Sequence, residues 1–428
     1  MKAGVARTAS SPSITDSGSK CNVSRAHLSA KSVGNGLDNC RLENTISRLV
    51  YPAVERTATW EVAGRGAWMM MRAWIVMLCL VGPISMVFAD EGGLEAPVRG
   101  LHIMSSGHND VALCERFIRE ALPKEGINTL VMELDYDFQF RSHPELSNKD
   151  AMDRNDVERL AKACRDSGVK LIPELNCLGH QSWGKYTGAL LLKYPQFDET
   201  PSLVTDSPHI YCRSWCPLAP GLHEIVFDLI DELADACGSD AVHCGMDEVF
   251  LIADPNCPRC RGKDPAQLFA DEVTRFHDHL KAKGRTMWMW GDRFLDANAY
   301  PGIGKWEASI VGTAPAVDKV PKDIVICDWH YEKAWPTPEF FAKKGFRVVA
   351  CPWRQSDVAL AQLAMIRQTK GLGMLQTTWV SFPDFAQAYF RGEPAPSGVP
   401  PVSPKKSVGE SVRCFRDLCA AMRGETAH

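Results

Sequence analysis

From residue 99 onward, short apolar runs alternate with stretches in which apolar residues recur every third or fourth position. Short apolar runs bounded by turn residues are typical of buried strands, and the longer spacing is typical of amphipathic helices. The repeated order of strand and then helix indicates a parallel α/β fold. This pattern predicts eight strands, at 99–105, 129–136, 170–176, 241–249, 286–292, 323–331, 346–353 and 373–380.

Helical patterns fill most of the gaps between these strands. The gap after the fifth strand is poorly helical, and the tail 404–423 beyond a Pro-, Gly- and Ser-rich loop is the candidate for the eighth helix. Eight strands with intervening helices predict a single (β/α)8 TIM barrel over 97–424. An open doubly wound sheet is the alternative, but G-x-G-x-x-G is missing after the first strand. The predicted helices are 110–122, 153–166, 221–236, 265–283, 337–343 and 356–370.

A different pattern precedes the predicted barrel. Residues 1–68 are rich in Ser, Ala, Arg and Asn and have no sustained apolar period. Arg72 and the apolar run 73–88 then match the first two regions of a secretory signal peptide, and "VFA" matches its cleavage site. Because this run is short and interrupted by Pro83, it does not predict a stable membrane span.

A signal peptide normally begins a chain. We therefore expect translation to start at Met69, Met70 or Met71, with 69–89 as the signal peptide and 1–68 as a non-native or disordered extension. The mature chain is then periplasmic or secreted. The alternative is that 1–68 is a disordered cytoplasmic extension before a signal anchor. The mass of the secreted product tests this expectation, because it would place the N-terminus near Asp90.

Composition narrows the class of protein without naming a function. The 428 residues are 45% hydrophobic and 23% charged, the balance of a globular protein. A formal net charge of −4 without a long basic run predicts no nucleic-acid partner. Of the 16 cysteines, Cys212 and Cys216 form one close pair in the loops and Cys257 and Cys260 another. These four are compatible with a structural zinc site and equally with disulfides.

Candidate chemistry gathers where the predicted strands end. In a barrel of this type the active site lies at the carboxyl ends of the strands. Flat aromatic rings stack on sugar faces, and acids and imidazoles hydrogen-bond sugar hydroxyls, so this mixture predicts a carbohydrate site. Adjacent strand residues face opposite sides, so Asp247 and Glu248 can serve one substrate only where the fourth strand gives way to a loop. The strand-end motifs are "ELNCLGHQSW", "HCGMDEV", "WMWGDR", "DWHYEKAW" and "TTWV".

These motifs resemble the catalytic domain of glycoside hydrolase family 20, the β-N-acetylhexosaminidases, over about residues 98–380. The resemblance rests on "RGLHIM", "GINTLVMELDYDFQFRSHPEL", "LIPELNCLGH" and "HCGMDEV", of which the last matches the family's His-x-Gly-x-Asp-Glu strand end. It implies an oligosaccharide or glycoconjugate substrate, from which terminal β-linked N-acetylhexosamine is removed with retention. In this substrate-assisted mechanism the acetamido oxygen is the nucleophile, and catalysis needs no cofactor.

The resemblance also implies roles for individual residues. Glu248 would act as the general acid and base, and Asp247 would orient the acetamido group. Tyr331 is the candidate hydrogen-bond donor to the acetamido carbonyl, although the register of "DWHYEK" leaves Trp329 and His330 open as alternatives. The other implied substrate-binding residues are His180, His243, Trp290, Asp292 and Trp379.

Three positions depart from the family pattern. No arginine follows the first strand, where the loop reads "SSGHND". Asn176 stands where an aspartate is common, and Val380 stands where an acid often follows the tryptophan. These departures leave two alternatives: a hydrolase of the same type that acts on a different or modified glycoside, and a carbohydrate-binding barrel without turnover. The intact Asp247–Glu248 pair argues against the second.

Overall fold

Eight parallel strands close into a barrel in the computed structural model of the chain. Every strand pairs with its neighbours in chain order, and β8 pairs with β1, so this sheet has no open edge. The predicted (β/α)8 TIM barrel is confirmed. The strands are β1 Val98–Met104, β2 Thr129–Glu133, β3 Lys170–Cys177, β4 Ala241–Gly245, β5 Thr286–Trp290, β6 Val325–Trp329, β7 Arg347–Cys351 and β8 Gly373–Gln376.

The structure describes residues 97–183, 186–203, 211–392 and 404–424. The predicted extension at 1–68 and the predicted signal peptide at 69–89 lie outside these residues. Within them, none of the helices combines the length and the apolar character that crossing a bilayer would require.

Eight main helices accompany the strands. Each of the predicted helical segments corresponds to one of them, and the gap after β5 contains only short 3-10 turns at Asp292–Phe294 and Ala314–Asp318. Two further short helices are Leu122–Glu125 and Ala189–Lys193. The main helices are α1 Val111–Glu120, α2 Arg154–Asp166, α3 Leu222–Cys237, α4 Pro265–Ala282, α5 Thr337–Lys343, α6 Ser356–Thr369, α7 Phe382–Arg391 and α8 Pro404–Arg423.

The helix that follows β8 differs from the prediction. The sequence predicted that the tail would supply it, but α7 follows β8 directly, and the tail forms α8, which packs against α6 and α7. Ser381 begins α7, where its hydroxyl accepts a hydrogen bond from the Asp384 amide at 3.5 Å. The buried face of α7 includes Phe382, Phe385 and Tyr389, an apolar spacing of three and four residues.

The side chains inside the barrel change from apolar to polar along the strands, from their amino ends to their carboxyl ends. Inward-facing positions alternate along each strand. On β2 they run from Val131 to Glu133, and on β3 from Ile172 to Glu174, all of them buried. The apolar end fills the barrel, and the polar end lies toward the carboxyl ends of the strands. The fold therefore places buried ionisable groups directly beneath the expected site.

Candidate active site

A cavity of about 570 Å³ opens at the carboxyl ends of the strands. Aromatic rings and carboxylates dominate its wall, and its volume is in the usual range for a small-ligand site. The lining residues are Met104, His180, Trp183, Tyr211, Asp247, Glu248, Trp306, Glu307, Trp329, Tyr331, Glu332, Trp353 and Trp379.

The two adjacent acids line this cavity together because β4 ends before them. The strand stops at Gly245, and the backbone is left-handed at Met246, with φ of 67°, and again at Glu248, with φ of 47°. Such angles are uncommon for residues other than glycine and cluster at functional sites. The left-handed turn removes the strand alternation that would have directed Asp247 and Glu248 to opposite faces.

His180 packs against both acids from the loop after β3. A side chain at the preceding Gly179 would lie 2.4 Å from the Asp247 carbonyl oxygen, so only glycine permits this approach. The His180 Nε2 atom lies 3.1 Å from Asp247 Oδ2 and 3.4 Å from Glu248 Oε2. Burial, the largest single cause, would lower the pKa of His180, but the charges of and hydrogen bonds to Asp247 and Cys212 together outweigh it, and the pKa is well above its usual value. The imidazole is therefore positively charged between the two acids.

Glu248 has the properties of a general acid. Burial, followed by the negative charge of Asp247, raises its pKa to about 8 from its ordinary value of 4.5. The positive charge of His180 acts in the opposite direction and does not cancel the rise. The Glu248 carboxyl group is therefore protonated at neutral pH, as a group that donates a proton to a leaving oxygen must be.

Asp292 fixes the backbone of Glu248 from behind the cavity wall. Its Oδ2 atom accepts hydrogen bonds from the Glu248 amide at 3.0 Å and from Arg293 Nε at 2.5 Å. Its Oδ1 atom accepts from Trp329 Nε1 at 3.3 Å. The side chain is almost fully buried and lies outside the cavity lining. One carboxylate thus positions both an acid and an aromatic ring of the site.

Tyr331 and Trp379 form one side of the cavity. The Trp379 Nε1 atom donates a hydrogen bond to the Tyr331 hydroxyl at 2.5 Å. Trp329 packs against Tyr331 with ring centroids 4.9 Å apart. His330 turns away, and its Nε2 atom lies 2.8 Å from Thr337 Oγ1. Of the three alternatives in "DWHYEK", Trp329 and Tyr331 therefore face the cavity and His330 does not.

Trp290 and His243 lie beneath the cavity rather than on its wall. Both are buried beside Glu174, whose Oε1 atom accepts a hydrogen bond from Trp290 Nε1 at 3.0 Å and lies 3.1 Å from His243 Nδ1. His102 Nε2 lies 3.0 Å from Glu174 Oε2. Burial would raise the pKa of Glu174, but His243 and His102 hold it well below its usual range. An ionised carboxylate thus supports the site from below.

Comparison with known proteins agrees with this geometry. The model of glycosyl hydrolase family 20, catalytic domain, matches residues 133–390. The chain belongs to glycosyl hydrolase family 20. The match runs from the last residue of β2 into α7 and includes the two acids that follow β4.

Two curated beta-hexosaminidases are similar to this family 20 chain. The protein of Vibrio furnissii is 26% identical over 212 residues, and that of Emericella nidulans is 24% identical over 264 residues. These alignments cover 49% and 55% of the chain, which spans only 31% and 40% of the relatives' lengths. A chitobiase structure from Flavobacterium johnsoniae has the same fold, with a TM-score of 0.52 and 17% identity over 76% of this chain and 50% of that one.

The cysteine cluster of the family 20 domain differs from the predicted set. The Cys212 Sγ atom accepts a hydrogen bond from the His180 amide at 2.8 Å and does not belong to the cluster. Glu199 takes its place beside Cys216, Cys257 and Cys260. All cysteines in the described part of the chain are buried thiols, and none of them forms a disulfide there.

Several wall residues were not predicted from the sequence. Trp353 and Glu332 follow the ends of β7 and β6, so their position next to a strand end was a usable signal. Trp183, Tyr211 and Trp306 lie on long loops whose sequence has no periodicity to set their direction. Their rings meet in the structure, with centroids 6.1 Å apart for Trp183 and Tyr211 and 5.0 Å apart for Tyr211 and Trp306.

Proposed function

We propose that this family 20 domain hydrolyses terminal β-linked N-acetylhexosamine from oligosaccharides or glycoconjugates by a substrate-assisted, retaining mechanism. The observation that carries the proposal is the Asp247–Glu248 pair on one cavity wall, where burial and the charge of Asp247 raise the pKa of Glu248 to about 8. The family is a known exception to the use of a carboxylate nucleophile, so two adjacent acids are sufficient.

In the proposed first step the acetamido oxygen of the substrate attacks the anomeric carbon. Glu248 transfers its proton to the glycosidic oxygen as the bond to the leaving group breaks. Asp247 accepts a hydrogen bond from the acetamido nitrogen and stabilises the positive charge that develops there. In the second step the Glu248 carboxylate removes a proton from water, and the resulting oxygen nucleophile attacks the anomeric carbon and opens the oxazolinium ring.

The other predicted residues support these two acids in the proposal. Tyr331 accepts the hydrogen bond of Trp379, which leaves the hydroxyl proton of Tyr331 available to the acetamido carbonyl oxygen. His180 pairs with Asp247 at 3.1 Å and contacts Glu248 at 3.4 Å, so it holds the two side chains next to each other. Asp292, His243 and Trp290 act as positioning residues, because they lie outside the cavity lining and contact residues on or beneath the wall.

The proposal predicts that the chain hydrolyses p-nitrophenyl β-N-acetylglucosaminide and does not hydrolyse p-nitrophenyl β-glucoside. Only the first sugar has the acetamido oxygen that the mechanism needs. Release of p-nitrophenol measures both reactions, and an N-acetylglucosamine thiazoline, which resembles the oxazolinium ring, should inhibit competitively. Turnover of the glucoside at a similar kcat/KM would rule out acetamido participation.

One observation favours a narrower substrate class. The cavity wall contains four acidic side chains, Asp247, Glu248, Glu307 and Glu332, and no lysine or arginine is among its lining residues in the described part of the chain. With Glu248 protonated, the positive charge of His180 offsets only one of the other three acids. The wall therefore keeps an excess of negative charge, which repels anionic ligands. We therefore expect neutral N-acetylhexosaminides to be preferred over their 6-sulfated forms.

The measurement is kcat/KM for p-nitrophenyl β-N-acetylglucosaminide and for its 6-sulfate at low and high salt. The neutral sugar should be preferred, and salt should reduce the preference by screening the charges. Equal kcat/KM for the two sugars at low salt would contradict the expectation. The double variant Glu307→Gln, Glu332→Gln should reduce the discrimination against the sulfate.

We also propose export of the mature chain, which rests on the signal-peptide pattern at 69–89.

A further inference from the structure

Four potential metal ligands meet outside the cavity, between the loop after β3 and the loop after β4. Glu199 and Cys216 belong to the first loop, and Cys257 and Cys260 to the second. All four residues are fully buried. Their ligand atoms, one from each residue, all lie within 4.8 Å of one another.

The spacing of these atoms fits a tetrahedral ion. Zinc bound to sulfur at about 2.3 Å places neighbouring ligand atoms roughly 3.8 Å apart. The Sγ atoms of Cys216 and Cys257 are 3.5 Å apart, and the Sγ atom of Cys260 lies 2.7 Å from Glu199 Oε1. Small outward movements of Cys260 and Glu199 would open this group around an ion.

Glu199 provides a second, independent observation. Its Oε2 atom is buried and has no hydrogen-bond partner among the described residues. A buried carboxylate oxygen without a partner is costly, and a bound cation is one of the few groups that removes this cost. A disulfide within the cluster would leave one thiol unpaired and would do nothing for Glu199.

Neighbouring groups hold the ligands in place. The Asp254 amide donates a hydrogen bond to Glu199 Oε1 at 3.0 Å, and the Cys216 amide donates to the Phe197 carbonyl at 2.8 Å. Arg259 lies between the two cysteines of the second loop and donates to the Gln196 and Asp198 carbonyls, each at 2.7 Å. Its positive charge partly offsets three thiolates and a carboxylate. Such surrounding contacts are typical of built metal sites.

We propose that Glu199, Cys216, Cys257 and Cys260 bind one Zn²⁺ ion, which ties the loop after β3 to the loop after β4. The ion has a structural role, because four protein ligands leave no open coordination position. Its effect reaches the active site through short backbone links: the Trp215 amide donates to the Leu178 carbonyl at 3.0 Å, and the Gln181 amide to the Arg213 carbonyl at 3.0 Å. These bonds hold the segment that carries His180.

The first experiment measures bound metal on the purified full-length chain. After dialysis against Zn²⁺ and gel filtration, plasma mass spectrometry should find one zinc ion per chain. Cobalt in place of zinc should produce thiolate-to-cobalt charge-transfer absorption. Removal of the ion by a strong chelator should lower the thermal unfolding midpoint, and added zinc should restore it. A folded chain that retains neither metal, or in which peptide mapping finds a disulfide among these cysteines, would overturn the proposal.

Variants then test the ligand set. We expect Cys257→Ser to weaken zinc binding by more than the roughly 10- to 100-fold typical of losing a residue that only supports a ligand. Glu199→Gln should weaken binding and alter the cobalt spectrum while keeping its thiolate bands. Cys237→Ser, a buried cysteine in α3, is the matched control and should retain one ion. Equal metal loss in the control would contradict the assignment of the ligands. If a variant fails to fold, the cobalt spectrum of the unaltered chain still tests whether thiolates bind the ion.

Discussion

Replacing Glu248 by glutamine is expected to lower kcat/KM for p-nitrophenyl β-N-acetylglucosaminide by about 100- to 10,000-fold, the usual contribution of general acid–base catalysis. Glutamine keeps the size of the side chain but can neither give a proton to the leaving oxygen nor take one from water. Because p-nitrophenol is a good leaving group, a natural disaccharide should show the larger loss. Comparing the two substrates by initial rates separates the acid role from the base role.

The pH dependence of kcat/KM in the unaltered chain should report the ionisation of Glu248. The Glu248 acid must be protonated in the free enzyme, and its pKa is raised to about 8 by burial and by Asp247. We therefore expect kcat/KM to fall as pH rises through about 8. In the Glu248→Gln variant this fall at alkaline pH, the falling limb of the profile, should disappear together with most of the activity. A fall centred near the ordinary carboxyl value of 4.5 would contradict the assignment.

The stability of the Glu248→Gln variant distinguishes loss of chemistry from loss of fold. Between the ordinary pKa of 4.5 and the raised value near 8, folded Glu248 holds a proton that the unfolded chain releases. Folding stability therefore decreases as pH rises across this window. Glutamine has no such ionisation, so the variant should unfold at a higher temperature than the unaltered chain at alkaline pH. Glu339→Gln, an exposed glutamate paired with Lys343 on α5, is the matched control and should change neither property.

Replacing Asp247 by asparagine should lower kcat by about 100- to 1,000-fold, the loss typical when one electrostatic partner of the transition state is removed. The amide cannot stabilise the positive charge that forms on the acetamido nitrogen. Binding of the thiazoline, which resembles that charged ring, should weaken in parallel with kcat. A variant with normal kcat and only a higher KM would indicate that Asp247 binds the sugar without acting in the reaction.

The same variant should move the pH profile. The negative charge of Asp247 is the second cause of the high pKa of Glu248, after burial. Without that charge the falling limb of any residual activity should shift to lower pH. Asp240→Asn is the matched control at the opposite end of β4, where the side chain is exposed and pairs with Lys170 at 2.7 Å. It should leave both kcat and the position of the limb unchanged.

Sequence patterns located the strands because their signal is local. Each of the eight predicted runs overlaps a barrel strand. The predicted fourth strand ran to residue 249, whereas β4 ends at Gly245, before the two acids. The helical pattern was weaker for α7. Ser381 and the apolar spacing of a helix were present there, but the tail 404–423 had the longer helical pattern and was therefore chosen as the helix after β8. Apolar periodicity identifies an element, but it does not tell which element covers which strand.

The sequence by itself determined the eight-stranded barrel, the family and the two adjacent acids, because strand and helix periods and the "HCGMDEV" motif lie within short stretches of chain. Only the tertiary structure decided that Trp290 lies beneath the cavity and Trp329 on its wall, and that Glu199 replaces Cys212 beside the other cysteines. These outcomes depend on contacts between segments far apart in sequence. The direction of a side chain at a strand end or on a loop is set by such contacts, and no local pattern encodes them.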